Sequence, residues 1–170
     1  MSSMMSFSES SLLLARSVVN SAYKSGVRIC GAESCTGGLI SAVLTAVPGS
    51  SDVLEFDVVT YSNESKNRFL HVSDKILSEK GAVSAECAAA MVDGVSELCN
   101  YNKKISFAVT GIAGPGGGTA NKPVGLVYIG LRDFKSSGTQ VIEKRFSGDR
   151  NDVRNQAVET VLNLILGSLG

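Results

Sequence analysis

A nucleophile is the first chemical function that the sequence offers, in the segment 32–38, Ala-Glu-Ser-Cys-Thr-Gly-Gly. Ser34 and Cys35 are adjacent there, and a hydroxyl or thiol attacks a carbonyl carbon when a neighbouring base accepts its proton. The small residues that follow would let backbone N–H groups at the start of a helix approach an anion or a developing oxyanion. The alternative is a helix cap, in which Ser34 or Thr36 binds backbone N–H groups and the glycines ease a tight turn.

The base for such a nucleophile has few candidates, because the chain contains one histidine, His71. A Ser-His-Asp triad would have to use this residue, and a multi-histidine metal site cannot be built within one chain. Tyr61 and Lys66 follow a strand-like run and would lie close together if a helix begins near Asn63. A desolvated lysine can lose its proton and act as a base. The alternative is an Asn63 helix cap followed by a solvated lysine.

A third segment, 110–118, has five glycines in its last eight residues. It matches neither common nucleotide-binding fingerprint, since it leads into a strand where both fingerprints open a helix. It is interpreted either as a backbone nest for phosphate or carboxylate or as a mobile loop. Arg150, just before the last helix, could reach a phosphate or pair with Asp149 or Asp152.

Strand-like and helical segments alternate along the chain and position these residues. Runs rich in Val, Ile and Phe predict five strands, the last two as a hairpin, at residues 27–32, 56–61, 105–110, 124–131 and 139–146. Helical spacing predicts helices from Leu12 to a stop at Gly26, over 37–47, after a Ser84 N-cap, and over 153–164. The pattern predicts a three-layer α/β/α sandwich with a mixed sheet. Ligands of such sheets bind beyond the carboxyl ends of the strands, where the three polar segments lie.

Composition narrows the class of protein. The chain has 170 residues, a length typical of a single domain, and 16 Lys and Arg balance 16 Asp and Glu. The zero net charge gives no electrostatic footprint for nucleic acid or for an anionic membrane surface. The chain has four cysteines, Cys30, Cys35, Cys87 and Cys99, and no two of them have the C-x-x-C spacing. The absence of this spacing argues against a zinc ribbon and favours reduced thiols in the core.

The N-terminal sequence predicts neither export nor membrane insertion, because it lacks a basic region and its apolar run 12–15 is far too short. We expect a cytoplasmic protein with a disordered lead at residues 1–9 and a single domain at 10–170. The apolar, Ala-rich helix at 87–95 would suit a homodimer contact, and core packing explains that face equally well.

Six short motifs occur in order along the chain: AESCTGG (32–38), VTYSNESK (59–66), GAVS (81–84), TGIAGPGGG (110–118), KPVG (122–125) and FSGDR (146–150). In these motifs the chain resembles, from about Gly26 to Leu166, the C-terminal domain of the CinA (competence-damage inducible protein) family, the bacterial nicotinamide-nucleotide amidases. Larger CinA proteins carry a molybdopterin-binding-like domain ahead of this one. The 170 residues leave no room for such a domain, so the chain resembles the stand-alone form. The position after GIAGP, often polar in the family, is Gly116 here, which affects side-chain contacts from this loop and not its backbone contacts.

The resemblance implies a fold and an activity. The fold is an α/β/α sandwich with a mixed, mostly parallel five-stranded sheet. The reaction is hydrolysis of a small-molecule nucleotide, nicotinamide mononucleotide, to nicotinate mononucleotide and ammonia, a step of pyridine nucleotide salvage. The resemblance implies no metal and no organic cofactor. The alternative is a non-catalytic module that binds a nucleotide or phosphate through the glycine loop and Arg150 without turnover.

The resemblance also implies roles for individual residues. Ser34 would be the nucleophile, with Tyr61 and Lys66 as its activating partners, so that Lys66 accepts the Ser34 proton directly or through Tyr61. Cys35 is the rival nucleophile, since a cysteine with a lysine and an acid, here Glu33, is another amidase arrangement, seen in nitrilases. The substrate-binding residues would be Cys35, Thr36, Gly37 and Gly38 beside the oxyanion, and Thr110, Gly111, Ala113, Gly114 and Arg150 along the substrate and its phosphate.

Overall fold

A single sheet of five strands forms the centre of the protein in the computed structural model, which describes residues 7–170. The strands are β1 (Arg28–Glu33), β2 (Leu54–Val59), β3 (Lys104–Gly111), β4 (Leu126–Arg132) and β5 (Gln140–Arg145). Their order in the sheet is β2-β1-β3-β4-β5. β1 runs parallel to β2 and β3, while β4 is antiparallel to both β3 and β5. Four strands therefore point the same way and one is reversed, which confirms the predicted mixed sheet.

Helices cover both faces of this sheet. They are α1 (Glu9–Ser25), α2 (Leu39–Thr45), α3 (Asn63–Leu70), α4 (Asp74–Glu79), α5 (Ala85–Leu98) and α6 (Arg150–Leu169). α1, α2 and α6 bury one face in a core that includes Val18, Phe107 and Leu162. α3 and α5 bury the other face with residues such as Leu70 and Met91. Each such side chain contributes about 1.5–3 kcal/mol when it is fully buried, and the predicted three-layer sandwich is confirmed.

The helix ends follow capping residues in the sequence. Gly26 ends α1 at φ +62°, a left-handed conformation that glycine adopts without strain, and Ser84 caps α5, both as predicted. α3 is capped by Ser62 and not by Asn63, because the Ser62 and Ser65 hydroxyls accept each other's backbone N–H groups in a capping box. α4 lies outside the predicted helices, since none of its residues is buried and no apolar periodicity marks it.

The N-terminal helix begins at Glu9, where the Ser8 hydroxyl accepts a hydrogen bond from the Ser11 N–H. The expected disordered lead falls mainly on residues 1–6, which lie outside the described residues. Helix α1 thus starts one residue before the boundary that we expected. Over residues 7–170, no helix is long and apolar enough to cross a membrane.

The carboxyl ends of β1, β2 and β3 lie side by side at one edge of the sheet, and each is followed by one of the polar segments. Backbone hydrogen bonds continue past the strands: the Ser34 N–H donates to the Val109 carbonyl at 3.0 Å, and the Thr60 N–H donates to the Glu33 carbonyl at 2.9 Å. The three segments are therefore held at fixed spacing where ligands of an α/β sheet bind.

Helix α3 approaches α5 closely at Gly94. A Cβ atom at this position would overlap the carbonyl oxygen of Leu70, in the last turn of α3. Only glycine allows the two helices this spacing. Lys66 lies one turn before Leu70 on α3, so the contact sets how far this lysine lies from the sheet.

Candidate active site

A lysine and a serine meet at the carboxyl end of β1. The Lys66 Nζ lies 3.0 Å from the Ser34 Oγ, although the residues are 32 positions apart in the sequence. Lys66 occupies the first turn of α3, where the capping box starts the helix, and it is 1% exposed. The structure thus brings together the candidate nucleophile and the candidate base.

The surroundings of Lys66 favour a neutral amine. Its Nζ also contacts the carbonyl oxygens of Thr60 at 2.7 Å and Tyr61 at 3.4 Å, and it forms no salt bridge within the described part of the chain. Burial lowers the pKa of Lys66 below the ordinary lysine value, because the ammonium form loses its hydration. A neutral amine has two N–H donors for the two carbonyls and one lone pair for the Ser34 hydroxyl. In this state Lys66 is prepared to accept the serine proton.

The Tyr61 side chain lies at the rim of the site and not between Ser34 and Lys66. Tyr61 is 60% exposed, and its hydroxyl accepts a hydrogen bond from the Arg150 Nη2 at 3.1 Å. Arg150 also donates from Nη1 to the Gly114 carbonyl at 2.7 Å, so it joins Tyr61 to the glycine-rich loop. The geometry offers the direct proton path from Ser34 to Lys66 and does not place the Tyr61 hydroxyl on it.

The turn between β1 and α2 is held by the fully buried carboxylate of Glu33. Its Oε2 accepts a hydrogen bond from the Gly38 N–H at 2.9 Å, and its Oε1 accepts from the Ile40 and Ser41 N–H groups at 2.9 and 3.0 Å. These N–H groups have no acceptor within the helix, so Glu33 caps α2. Sequence reasoning missed this role because a helix is usually capped by the residue at its start, whereas Glu33 lies five residues before the N-cap Gly38.

The same hydrogen bonds correct the expected oxyanion site. The carboxylate already binds the Gly38 N–H, and the Gly37 N–H donates to the Ser34 carbonyl at 3.0 Å. Neither group is free to bind an oxyanion. The N–H groups of Cys35 and Thr36 donate to no other residue within the described chain, and they belong to the same turn as the nucleophile. Thr36 is fully buried, so the donor available to a ligand is the Cys35 N–H.

Arg154 holds the other side of this turn and lies outside the predicted site. Its Nη2 donates to the Thr36 carbonyl at 2.9 Å. Thr36 is fully buried, and its hydroxyl has no hydrogen-bond partner among residues 7–170, so its side chain faces the protein interior. Arg154 follows Arg150 by four residues on α6, a spacing that puts both on one helix face and could have identified it from the sequence.

These groups enclose a pocket of about 260 Å³. Its lining comes from the predicted site residues Ser34, Cys35, Tyr61, Lys66, Thr110, Gly111, Ala113, Gly114 and Arg150, together with Ala82, Val83, Ile112, Gly116 and Gly117. The predicted residues Thr36, Gly37 and Gly38 do not line it. Ala82 and Val83 were outside the expected site, although they belong to the GAVS motif at 81–84.

Thr110 lines the pocket and holds the adjacent loop at Ala82, which also lines it. Its hydroxyl donates to the Ala82 carbonyl at 2.8 Å, and the residue is 1% exposed. This bond joins the end of β3 to the loop before α5. Because the hydroxyl hydrogen is already used, Thr110 shapes the pocket, and only its acceptor lone pair remains for a ligand. In the described region, no group of three or more His, Cys, Asp and Glu side chains is arranged to hold a metal ion.

A larger hollow of about 620 Å³ lies at the opposite end of β3. Its half-buried amine belongs to Lys104, whose Nζ donates to the carbonyls of Ser96 and Cys99 at the end of α5. That lysine binds carbonyls at the helix C-terminus, and in the part of the chain that the structure describes its amine is hydrogen-bonded to no nucleophile. The chemistry therefore favours the smaller pocket as the active site.

Cys35 lies in the wall of the smaller pocket and is 5% exposed. Burial raises the pKa of its thiol to about 12, so the reactive thiolate is scarce at neutral pH. The Cys-Lys-acid alternative would also require Glu33, whose carboxylate is bound to α2. The geometry therefore favours Ser34 as the nucleophile. All four cysteines are free and buried, as the composition predicts.

Comparisons with known sequences identify the family. The sequence pattern of the CinA C-terminal domain matches residues 12–169. A CinA-like protein of Endomicrobium trichonymphae is 51% identical over 134 residues, which are 79% of this chain and 30% of that protein. A putative competence-damage inducible protein of Acetivibrio thermocellus is 49% identical over 139 residues, which are 82% of this chain and 33% of that protein. The chain spans about a third of the length of these curated relatives.

Solved structures share the fold. The crystal structure of competence/damage inducible protein CihA from Agrobacterium tumefaciens matches with a TM-score of 0.91 and 38% identity, over 96% of this chain and 98% of that one. A CinA superfamily protein from Klebsiella pneumoniae matches with a TM-score of 0.87 and 31% identity, over 94% and 97% of the two chains. By its sequence and by its fold, the chain belongs to the CinA C-terminal domain family.

Proposed function

We propose that this domain is an amidohydrolase that converts nicotinamide mononucleotide to nicotinate mononucleotide and ammonia in the cytoplasm. The observation that carries the proposal is the 3.0 Å contact between the buried Lys66 amine and the Ser34 hydroxyl. Such a pair activates a serine without histidine, and His71 caps the C-terminus of α3 and does not line the pocket. The choice of substrate is supported by the resemblance of the six motifs to the nicotinamide-nucleotide amidases.

In the first half-reaction, the neutral Lys66 amine accepts the Ser34 hydroxyl proton while the Oγ attacks the carboxamide carbon. The carbonyl electron pair moves to its oxygen, which the free N–H group of Cys35 would bind. One such donor typically contributes about 2.7–4 kcal/mol of transition-state stabilisation. As the tetrahedral intermediate collapses, Lys66 returns the proton to the nitrogen, the C–N bond breaks and ammonia leaves. An ester between Ser34 and the nicotinoyl group remains.

In the second half-reaction, water takes the place of the serine. Lys66 accepts a proton from water, and the resulting hydroxide attacks the ester carbon. The same N–H group binds the new oxyanion. Collapse breaks the bond to the Ser34 Oγ, which receives the proton back from Lys66, and the nicotinate product loses its acidic proton to solvent. The enzyme returns to its starting protonation state.

The pocket volume suits the reacting end of the substrate. A volume of about 260 Å³ is near the lower limit for small-molecule sites, so the pyridine carboxamide would occupy the pocket and the ribose phosphate would extend to the rim. Arg150 lies at that rim and uses one N–H donor for Gly114 and one for Tyr61. Its remaining donors, with the backbone of Gly116 and Gly117, would bind the phosphate. Binding energy from this remote group would then position the amide.

Ammonia release from nicotinamide mononucleotide by the purified chain tests the proposal. We expect turnover by the wild type and a loss in kcat of more than about a thousandfold for both Ser34→Ala and Lys66→Met. Matched controls are Ser78→Ala and Lys75→Met, which change exposed residues of α4 and should leave kcat unchanged. Circular dichroism and thermal melting of every variant establish that it is folded.

Calorimetric titration separates an enzyme from a non-catalytic binding module. Binding of nicotinamide mononucleotide by the wild type with no ammonia release would contradict the proposal and support the module. An inactive Ser34→Ala variant that binds the substrate as tightly as the wild type supports the role of Ser34 in the chemical step. Activity that survives Ser34→Ala and disappears in Cys35→Ala would assign the nucleophile to Cys35.

A further inference from the structure

Asp57 is a carboxyl residue that the proposed reaction does not use. It lies on β2 opposite Gly31 of β1, while Glu33 lies opposite Val59. Because side chains alternate along a strand, Asp57 and Glu33 project from the same face of the sheet, on which Glu33 binds α2. Both Asp57 carboxyl oxygens are buried, and within residues 7–170 neither forms a hydrogen bond, although Ser41 of α2 lies beside this carboxyl.

The two carboxyl groups have different surroundings. Glu33 accepts three backbone N–H groups, which stabilise its negative charge. An ionised Asp57 would instead place two buried oxygens, neither of them hydrogen-bonded, beside a like charge. Burial, together with the adjacent Glu33 carboxyl, raises the pKa of Asp57 to about 10. Protonation of Asp57 removes the negative charge beside Glu33. It also supplies an O–H group that can donate a hydrogen bond to the Glu33 carboxylate.

Glu33 connects this arrangement to the active site. Its backbone directly precedes Ser34, and its carboxylate binds the N–H groups at the far end of the turn, 34–38. The nucleophile and the free Cys35 N–H group therefore lie on a short segment anchored at both ends by one residue. A displacement of about 1 Å in such a segment can lower a rate by about a hundredfold.

We propose that Asp57 is a positioning residue that acts as a neutral carboxylic acid. It donates a hydrogen bond to the Glu33 carboxylate, which in turn orients Ser34 and the N–H group of Cys35. The kinetic consequence rests on the proposed amidase function, whereas the protonation of Asp57 does not depend on it. The shared proton stays between the two carboxyl groups throughout turnover.

Three variants test the kinetic part. Asp57→Asn keeps a donor at the same place, and its kcat is expected to stay within about threefold of the wild type. Asp57→Ala removes the donor, and Glu33→Gln puts an NH₂ group where the α2 backbone needs an acceptor. Each of these two changes should lower kcat about ten- to hundredfold with KM within about threefold. Rescue by asparagine and not by alanine supports the proposal, and a folded Asp57→Asn variant as slow as Glu33→Gln overturns it.

Two measurements test the hydrogen bond between Asp57 and Glu33 without any turnover. The infrared spectrum at neutral pH should show the C=O stretch of a protonated carboxylic acid, and this band should disappear in Asp57→Asn. The NMR chemical shifts of the Cys35 and Thr36 amides should stay unchanged in Asp57→Asn and move in Asp57→Ala and Glu33→Gln. A wild-type spectrum without the acid band overturns the inference even if the enzyme is active. If the acid band is present and the protein releases no ammonia, the result supports the hydrogen bond between Asp57 and Glu33. It then contradicts only the amidase function.

Discussion

Replacing Tyr61 by phenylalanine tests whether its hydroxyl moves a proton or only binds Arg150. The hydroxyl accepts one hydrogen bond, from Arg150 at 3.1 Å, and Tyr61 is 60% exposed, so this bond competes with water. A hydrogen bond to a charged group contributes about 1.5–3 kcal/mol, and exposure to solvent reduces this to about 1 kcal/mol or less. That energy corresponds to about a fivefold change in an equilibrium or rate constant. We therefore expect Tyr61→Phe to raise KM by no more than about fivefold and to leave kcat unchanged.

The assay measures kcat and KM for ammonia release separately. Tyr23→Phe is the matched control, because Tyr23 lies on α1 and is 65% exposed. A hydroxyl that transfers a proton in the transition state contributes about a hundredfold to ten-thousandfold in rate. A loss of that size in the kcat of a folded Tyr61→Phe variant would refute the direct proton path between Ser34 and Lys66.

The other predictions concern charge and protonation. Arg150→Ala should raise KM about tenfold or more with little change in kcat, since a charged hydrogen bond to the phosphate would be lost. A fall in kcat of about tenfold or more would contradict a role confined to binding. The pH profile of kcat/KM should rise with a midpoint below 10.5, because burial lowers the pKa of Lys66, and a midpoint at the ordinary lysine value would be inconsistent with this base. The unfolded state then binds more protons than the folded state, so thermal melts should show the wild type gaining stability relative to Lys66→Met as the pH rises towards 10.5. Cys35→Ala should keep kcat within about threefold of the wild type. Iodoacetamide should react slowly with Cys35, because burial raises the pKa of its thiol to about 12. Rapid labelling of Cys35 that stops turnover would instead indicate that this thiol takes part in the reaction.

The layers of the fold could be predicted because the segments that build them carry strong patterns. Nearly continuous apolar runs mark β3 and β4, which are covered on both faces, and Gly26 and Ser84 mark helix ends by their own chemistry. α4 carries no such pattern, since it is six residues long and buries none of them. The choice between Ser62 and Asn63 as the cap of α3 depends on Ser65, whose hydroxyl completes the capping box. Both residue types are good caps, so position alone could not decide between them.

The candidate site could be predicted as a set of segments and less well as a set of contacts. The ends of neighbouring parallel strands must meet, so Ser34, Lys66 and Arg150 could be placed near one another from the sequence. The direction of a side chain at a rim depends on its partner, and the bond from Arg150 that turns the Tyr61 hydroxyl away from Lys66 leaves no trace in the sequence. The cap that Glu33 supplies is equally hidden, because it depends on how the chain folds back over the strand end.

The close approach of α5 to α3 bears on how substitutions in this domain are interpreted. In an exposed helix interior, alanine in place of glycine is more favourable by up to about 1 kcal/mol, so alanine at position 94 resembles a stabilising change. Here the added methyl group would press on the Leu70 carbonyl and move α3 outward, together with Lys66. Such a variant would retain every residue of the pocket and lose the 3.0 Å contact on which the proposed chemistry depends. A comparison of pocket residues alone would not detect this change, so Gly94 is a position outside the pocket on which the proposed chemistry of Ser34 and Lys66 depends.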